Sequence, residues 1–128
     1  MVYKLYGRAV DTDFPAHEFA FLWDGDPEIF VSAKPMEAPQ GISWFHSISD
    51  QQMEWARFGR CSEGFVARIE GCADLMICPQ QRRVGLHPLK SLSCLEVKSL
   101  LLLQGVPLLL QTLGDVVIHG SCALINNE

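Results

Sequence analysis

The period of the apolar residues changes once along this chain, at Pro88, and that change limits the folds the chain can adopt. Before Pro88, short blocks of β-branched and apolar residues are separated by turn residues, a pattern typical of β-strands. After it, residues 95–113 are apolar nearly all round, which predicts a buried helix. We therefore expect an α+β fold: a mostly antiparallel sheet of short strands over residues 2–87, one long kinked helix at about 93–113, and a C-terminal strand at 115–125.

The strand blocks are well separated along the chain. A first strand is predicted at 3–10, short strands at 29–32, 42–46 and 53–58, and a meander of sequence neighbours at 65–69, 74–78 and 84–87. The helix has its own boundary signals. Ser93 and Glu96 have the spacing of a capping box, Gly105 and Pro107 predict a kink, and Gly114 predicts the end.

Composition excludes some classes of partner and location. The 128 residues are 48% apolar and carry a net charge of −5, with 10 Lys and Arg against 15 Asp and Glu. A phosphate backbone requires clustered basic residues, so we expect no nucleic-acid partner. The five cysteines form no Cys-x-x-Cys pair and the N-terminus has no signal-peptide core, which predicts reduced thiols in the cytoplasm.

The only stretch apolar enough to suggest a membrane span is residues 95–113. It contains Glu96, Lys98, Gln104 and Pro107, which make it a poor spanning segment. We therefore expect a buried helix of a soluble domain and no membrane partner.

The last fourteen residues predict an incomplete β-hairpin. Residues 116–125 are rich in β-branched and small apolar side chains, and Asn126-Asn127 favours a tight turn, but no return strand follows. A half-hairpin exposes unpaired backbone groups. The pattern predicts that the chain belongs to something longer, or that it forms a homo-oligomer, in the simplest case a dimer, through strand 116–125.

The order of these parts is similar to a known family. A β-rich segment with Arg-Ile-Glu-Gly-Cys-Ala-Asp, an apolar helix containing Val106-Pro107, a short turn and then Ile118-His119-Gly120-Ser121-Cys122-Ala123 resembles the N-terminal part of HPr serine kinase-like proteins. The match covers about residues 60–128. The resemblance implies that this strand leads into a second one that delivers the Walker A phosphate loop.

The chain departs from the family at the nucleotide site. It contains no Gly-x-x-x-x-Gly-Lys-Ser/Thr motif and no Walker B-type or catalytic Asp. The resemblance therefore implies a β-rich domain at 1–88 and, at 89–128, the helix and first strand of a kinase-like core that stops before the phosphate loop. We expect no cofactor in this chain, with ATP and Mg²⁺ bound only by the missing kinase core.

His119 and Ser121 are the candidate catalytic residues. They lie two positions apart on a predicted strand, so both point to one face, and the resemblance implies that this face is near the site of phosphate transfer. The alternative is a half-buried histidine bonded to the backbone beside a small serine. Cys122 has the opposite parity, which argues against a Cys-His nucleophile pair.

Other patterns have plainer explanations. Asp24-Gly25-Asp26 lacks the later ligand of a calcium loop, and Arg82-Arg83 could bind an anion but lies in a turn where solvation is the default. Alternating aromatic residues could line a peptide groove, although such a pattern more often indicates core: Trp23, Trp44, Trp55, Phe45 and Phe58.

Three functions remain open from sequence. The first is a non-catalytic N-terminal segment of an HPr kinase-like, ATP-dependent serine kinase, which recognises a peptide or small-molecule hydroxyl acceptor or braces the kinase core. The second is a self-sufficient module that binds a peptide by adding it to a sheet edge, with no kinase. The third is a small hydrolase that uses His119.

Overall fold

A computed structural model describes residues 1–115, which form a nine-stranded mixed sheet with one helical stretch on one face. The strands are β1 Val2–Leu5, β2 Arg8–Thr12, β3 Phe21–Leu22, β4 Ile29–Pro35, β5 Ser43–Ser49, β6 Glu54–Cys61, β7 Gly64–Ile69, β8 Ala73–Cys78 and β9 Arg83–Pro88. Their order across the sheet is β3-β1-β2-β4-β9-β8-β7-β6-β5. Strands β3 and β5 therefore lie at the two edges.

The first predicted strand, 3–10, is two strands joined by a tight hairpin. Tyr6 and Gly7 have φ angles of 54° and 75°, and Leu5 pairs with Arg8. Two successive residues with positive φ define a type I′ turn, whose twist matches that of the flanking strands. This turn was not predictable from the sequence, because a tyrosine rarely adopts that conformation.

The predicted fold class is wrong, although the chain is dominated by a sheet as expected. Strand β4 pairs in parallel with both β2 and β9, so the sheet is mixed, whereas the prediction was mostly antiparallel. The reason is the connection over residues 13–28, which carries the chain across the sheet before β4 begins. Phe14 and Ala16 of this connection are buried in the core, and the Tyr3 hydroxyl accepts a hydrogen bond from the Ala16 N–H at 2.8 Å.

The predicted meander is confirmed. Its three members, β7, β8 and β9, pair antiparallel in sequence order, with registers such as Leu75 opposite Leu86. These pairings can be predicted from the sequence because each strand pairs with its neighbour in sequence across a short turn.

The predicted long kinked helix is also corrected. The helical stretch Cys94–Thr112 has 19 residues and consists of α1 Cys94–Ser99, a π-helical segment Leu100–Gly105 and α2 Val106–Thr112. Pro107 lies in the first turn of α2, directly after the π-helical segment. A proline lacks the N–H that an α-helical ladder requires, and the wider π-helical turn just before it accommodates this loss.

Both ends of the helix follow the sequence signals. The capping box between Ser93 and Glu96 is confirmed, with the Ser93 hydroxyl accepting from the Glu96 N–H at 3.1 Å. At the other end, the Gly114 N–H donates to the Gln111 carbonyl and the Asp115 N–H to the Leu110 carbonyl, while Gly114 has a φ of 95°. This is the Schellman arrangement, and the predicted end at Gly114 is confirmed.

The helix packs against β4, β8 and β9 in the middle of the sheet. Its buried side chains meet those that the three strands direct to the same face, and each such side chain contributes about 2 kcal/mol to folding. The helix contributes Leu101, Leu102, Val106, Leu109 and Leu110, and the strands contribute Val31, Leu75, Ile77, Val84 and Leu86. By length and a mean hydropathy of 1.3, Cys94–Thr112 is also the one described helix that could span a membrane.

Arg8 connects the end of the helix to the sheet. Its Nη2 lies 2.8 Å from Asp115 Oδ1 and its Nε lies 3.1 Å from Asp115 Oδ2, while Nη1 contacts Glu28 at 3.1 Å. The hydrogen bonds that Arg8 donates to Asp115 and Glu28 raise the pKa of Arg8. The Ala9 N–H and Arg8 lower the pKa of Glu28. The cluster fixes the start of β4 beside β2.

A glycine controls the approach of the β6–β7 hairpin to β8. Gly64 has a φ of 145°, and a Cβ there would lie 2.2 Å from the Ile77 carbonyl oxygen. Gly71 also has a positive φ, 69°, but a Cβ there meets nothing within 4 Å.

We predict that Gly64→Ala lowers the free energy of unfolding by about 3 kcal/mol, from strain and overpacking together. Gly71→Ala should cost about 1 kcal/mol, from strain alone.

Urea unfolding followed by circular dichroism measures both values. Equal losses for the two variants would show that the contact with the Ile77 backbone has no effect.

Candidate functional site

The helix covers the middle of the sheet, and among the residues that the structure describes nothing covers the side near β5. Beside α2 an apolar groove of about 370 Å³ lies over β6 and β7, and we call it the aromatic groove. It is lined by Phe45, Phe58, Phe65, Ala67, Ile77, Leu108, Gln111 and Thr112. One helix is too narrow to cover this sheet, and the groove is the part that residues 1–115 leave uncovered.

A β-bulge in β5 places two consecutive side chains on the groove side. Trp44 pairs with Gly59 and His46 with Phe58, so Phe45 is an extra residue in β5. The Phe45 ring meets the Phe65 ring edge-on, with 6.5 Å between the ring centroids, and the His46 ring stacks on the Phe58 ring, with 5.8 Å between the centroids. In a regular strand these two side chains would point to opposite faces. Bulges commonly redirect side chains in this way at binding sites.

The aromatic groove has a cation above its apolar floor. The guanidinium of Arg60 lies 5.7 Å from the centroids of both the Phe45 and Phe65 rings. Phe45 is 59% exposed, which is high for a phenylalanine in the middle of a strand. Exposed aromatic residues beside an apolar groove are typical of an interaction surface.

Strand β5 is an open sheet edge. Within residues 1–115 it pairs with β6 alone, and its sequence from Ser43 to Ser49 contains no Lys, Pro or acidic residue. Such residues normally protect an edge from pairing with another chain. The other edge, β3, has only two residues and offers little backbone for pairing. An added strand would therefore find its template at β5, next to the aromatic groove.

Trp44 points to the face opposite the groove and forms part of a charged cluster. Its ring lies 5.7 Å from the Arg57 guanidinium and 5.0 Å from that of Arg68. Arg68 is bound through two hydrogen bonds, of 2.7 and 3.0 Å, to the carboxylate of Asp74, which is fully buried. Donating these hydrogen bonds to Asp74 raises the pKa of Arg68. This ion pair holds Trp44, and with it the start of β5, against the sheet.

Several sequence-derived site residues lie elsewhere. His119, Ser121 and Cys122, together with the predicted strand 116–125, lie outside the described residues, so their roles and the predicted dimer through that strand stay predictions. Asp24 and Asp26 are exposed in the loop between β3 and β4. In the part of the chain that the structure describes, no three His, Cys, Asp or Glu side chains form a group that could hold a metal ion.

The sequence pattern favoured a core position for the aromatic residues over a peptide groove, and that preference is wrong for the most exposed of them. Trp55 is 49% exposed, and Phe45 lies at the groove. The contributions of Phe65, Arg60 and Leu108 were missed. The Phe65 block was read only as a strand, and nothing in the sequence indicates that Leu108 ends up beside it.

Comparisons of the chain with protein-family models, with curated proteins and with solved structures gave no significant match.

Arg68 and Arg57 provide a matched pair of substitutions. Arg68→Leu leaves the buried Asp74 carboxylate without its partner, and we predict a loss of about 3 kcal/mol in the free energy of unfolding. Arg57 contacts Glu54 at the surface, so Arg57→Leu should cost less than about 1 kcal/mol. The double variant Arg68→Leu/Asp74→Leu should recover most of the first loss. Denaturant titration measures the free energy of unfolding of all three variants. A double variant no more stable than Arg68→Leu would contradict the ion-pair explanation.

Proposed function

We propose that this chain is the non-catalytic N-terminal segment of an HPr kinase-like serine kinase and that it recognises a peptide acceptor at β5. The acceptor pairs with the open edge of β5 and inserts apolar side chains into the aromatic groove. The observation that carries the proposal is an unprotected edge strand directly beside a groove lined by Phe45, Phe58 and Phe65.

Strand addition suits this geometry for two reasons. Backbone hydrogen bonds to the edge give affinity without regard to sequence, and every second side chain of the added strand would face the groove. Arg60 lies over the aromatic rings, so an acidic residue in the bound segment would find a cation there. The preferred acceptor is thus an extended peptide with alternating apolar residues and a nearby carboxylate.

The kinase part of the proposal is supported by the resemblance over residues 60–128. The sequence lacks the phosphate loop, so phosphate transfer would require a nucleotide site outside these residues.

The competing function is a self-sufficient peptide-binding module, which is favoured by the fact that the edge and the groove are built entirely from residues 43–112.

Peptide binding is tested by selecting binders from a displayed library of random peptides and measuring their affinities by isothermal titration. We predict that Phe45→Ser lowers the affinity for the selected peptides at least about tenfold, because it removes an aromatic wall of the groove. Phe21→Ser is the matched control, since Phe21 is 89% exposed at the opposite edge. It should leave affinity unchanged.

Amide hydrogen exchange adds a second readout. The bound peptide should protect backbone N–H groups of β5 at residues 43–49 that exchange quickly in the free chain. Binders that are insensitive to Phe45→Ser and leave β5 exchange unchanged would exclude the edge and the groove as the site.

Nucleotide titration separates this chain from its proposed parent. We predict no saturable ATP binding to residues 1–128 with Mg²⁺ present, because no glycine-rich loop is available to hold the phosphates.

The reading frame downstream of residue 128 decides between the two functions. A glycine-rich loop ending in Lys-Ser or Lys-Thr would favour the kinase, and a natural stop codon would favour the module. Measurable ATP affinity of the chain itself would contradict the proposed division.

A further inference from the structure

A second cavity, of about 410 Å³, opens on the sheet face that the helix does not cover. It lies over β4, β9 and β8 and reaches the β6–β7 hairpin, and we call it the Met36 cavity. The residues that matter for its chemistry are Phe30, Lys34, Met36, Glu63, Met76 and Arg83. Phe65 and Ile77 line both this cavity and the aromatic groove, but the basic and methionine side chains of the Met36 cavity belong to the opposite face of the sheet.

The floor of the cavity contains a glycine, Gly85. Gly85 of β9 pairs with Met76 of β8, and a Cβ at Gly85 would lie 2.2 Å from the Met36 sulfur. The Met36 side chain therefore occupies the space directly over the Gly85 backbone. Replacing Gly85 would displace this wall.

The backbone of Met36 is held in place from both sides. Its N–H donates to the Leu86 carbonyl at 2.9 Å, and its carbonyl oxygen lies 2.8 Å from His87 Nδ1. Since a carbonyl only accepts, Nδ1 of His87 carries the hydrogen in this contact. The wall of the cavity is therefore preformed, while the Met36 thioether keeps the conformational freedom to adapt to a ligand.

The charges at the cavity are mainly positive. Lys34 and Arg83 both line it, and among residues 1–115 neither takes part in an ion pair. The Arg83 guanidinium lies 5.3 Å from the Phe30 ring, which orients it at the mouth of the cavity. Glu63 is the single acidic residue in the lining. Two cations thus face an interior of methionine and phenylalanine side chains.

We propose that the Met36 cavity binds a small organic anion that has an apolar body, such as an aromatic carboxylate. The carboxylate is held by Arg83 and Lys34, and the apolar body packs against Met36, Met76 and Phe30. Guanidinium groups bind carboxylates through paired hydrogen bonds, and an apolar pocket with a few convergent polar groups is the usual form of a small-molecule site. This site does not depend on the peptide-binding function, because it uses different side chains.

The four methionines make the site directly observable by NMR of ¹³C-methyl-methionine-labelled protein. Met36 and Met76 line the cavity, while Met1 lies at the N-terminus and Met53 in the loop before β6. Titration with 2-naphthoate should shift the Met36 and Met76 methyl signals saturably and leave those of Met1 and Met53 unchanged. The neutral analogue 2-naphthamide should bind at least about tenfold more weakly.

Charge variants complete the test. Lys34→Gln and Arg83→Gln should each lower the affinity for 2-naphthoate at least about fivefold, because each removes a charge-assisted contact. Lys90→Gln and Arg82→Gln are matched controls of equal charge change that do not line the cavity, and they should have no effect. All four side chains are exposed, so dispersed methyl spectra are expected for every variant and report that each one is folded.

Three results would overturn the proposal. They are unchanged Met36 and Met76 signals at saturating 2-naphthoate, equal affinity for the acid and the amide, and equal weakening by the cavity and control variants. The first excludes the cavity, the second excludes recognition of the anion, and the third attributes binding to net charge.

Discussion

The packing of one helix on the middle of a wide sheet determines the rest of this structure. Leu101, Val106 and Leu109 bury against β4, β8 and β9, and this contact forms the main core. A single helix spans only part of a nine-stranded sheet, so within residues 1–115 no layer covers the apolar face of the strands near β5. The aromatic groove and the open edge follow from this mismatch of widths. The proposed peptide site is therefore a consequence of the architecture, and the bulge at Phe45 shapes it further.

The two faces of the sheet are stabilised by different chemistry. The helix face depends on apolar burial, whereas the opposite face uses the buried Arg68–Asp74 pair, the Trp44 ring and the Met36 wall over Gly85. A buried carboxylate is costly unless it is paired, so the position of Asp74 requires Arg68 in place. This difference gives the molecule an apolar groove on one face, where we propose that a peptide binds, and a basic cavity on the other, where we propose that a small anion binds.

Local signals were read correctly where the interacting residues are close in sequence. The β7-β8-β9 meander, the capping box at Ser93 and the helix end at Gly114 each depend on residues a few positions apart. The parallel pairing of β4 was not predictable in this way, because its partners β2 and β9 are separated from it by long connections. Of the candidate site, the aromatic residues were noticed, but their exposure depends on how far the helix reaches.

The sequence by itself determined that this chain forms a sheet of short strands followed by an apolar, capped helix, and that it carries no phosphate loop. These features depend on residue type, period and spacing along the chain. Only the tertiary structure decided the strand order, the parallel insertion of β4, the π-helical segment before Pro107 and the juxtaposition of Phe45 and Phe65 with Leu108. The physical reason is that strand partners and side-chain exposure depend on competition among all apolar surfaces for burial, which no local window of sequence contains.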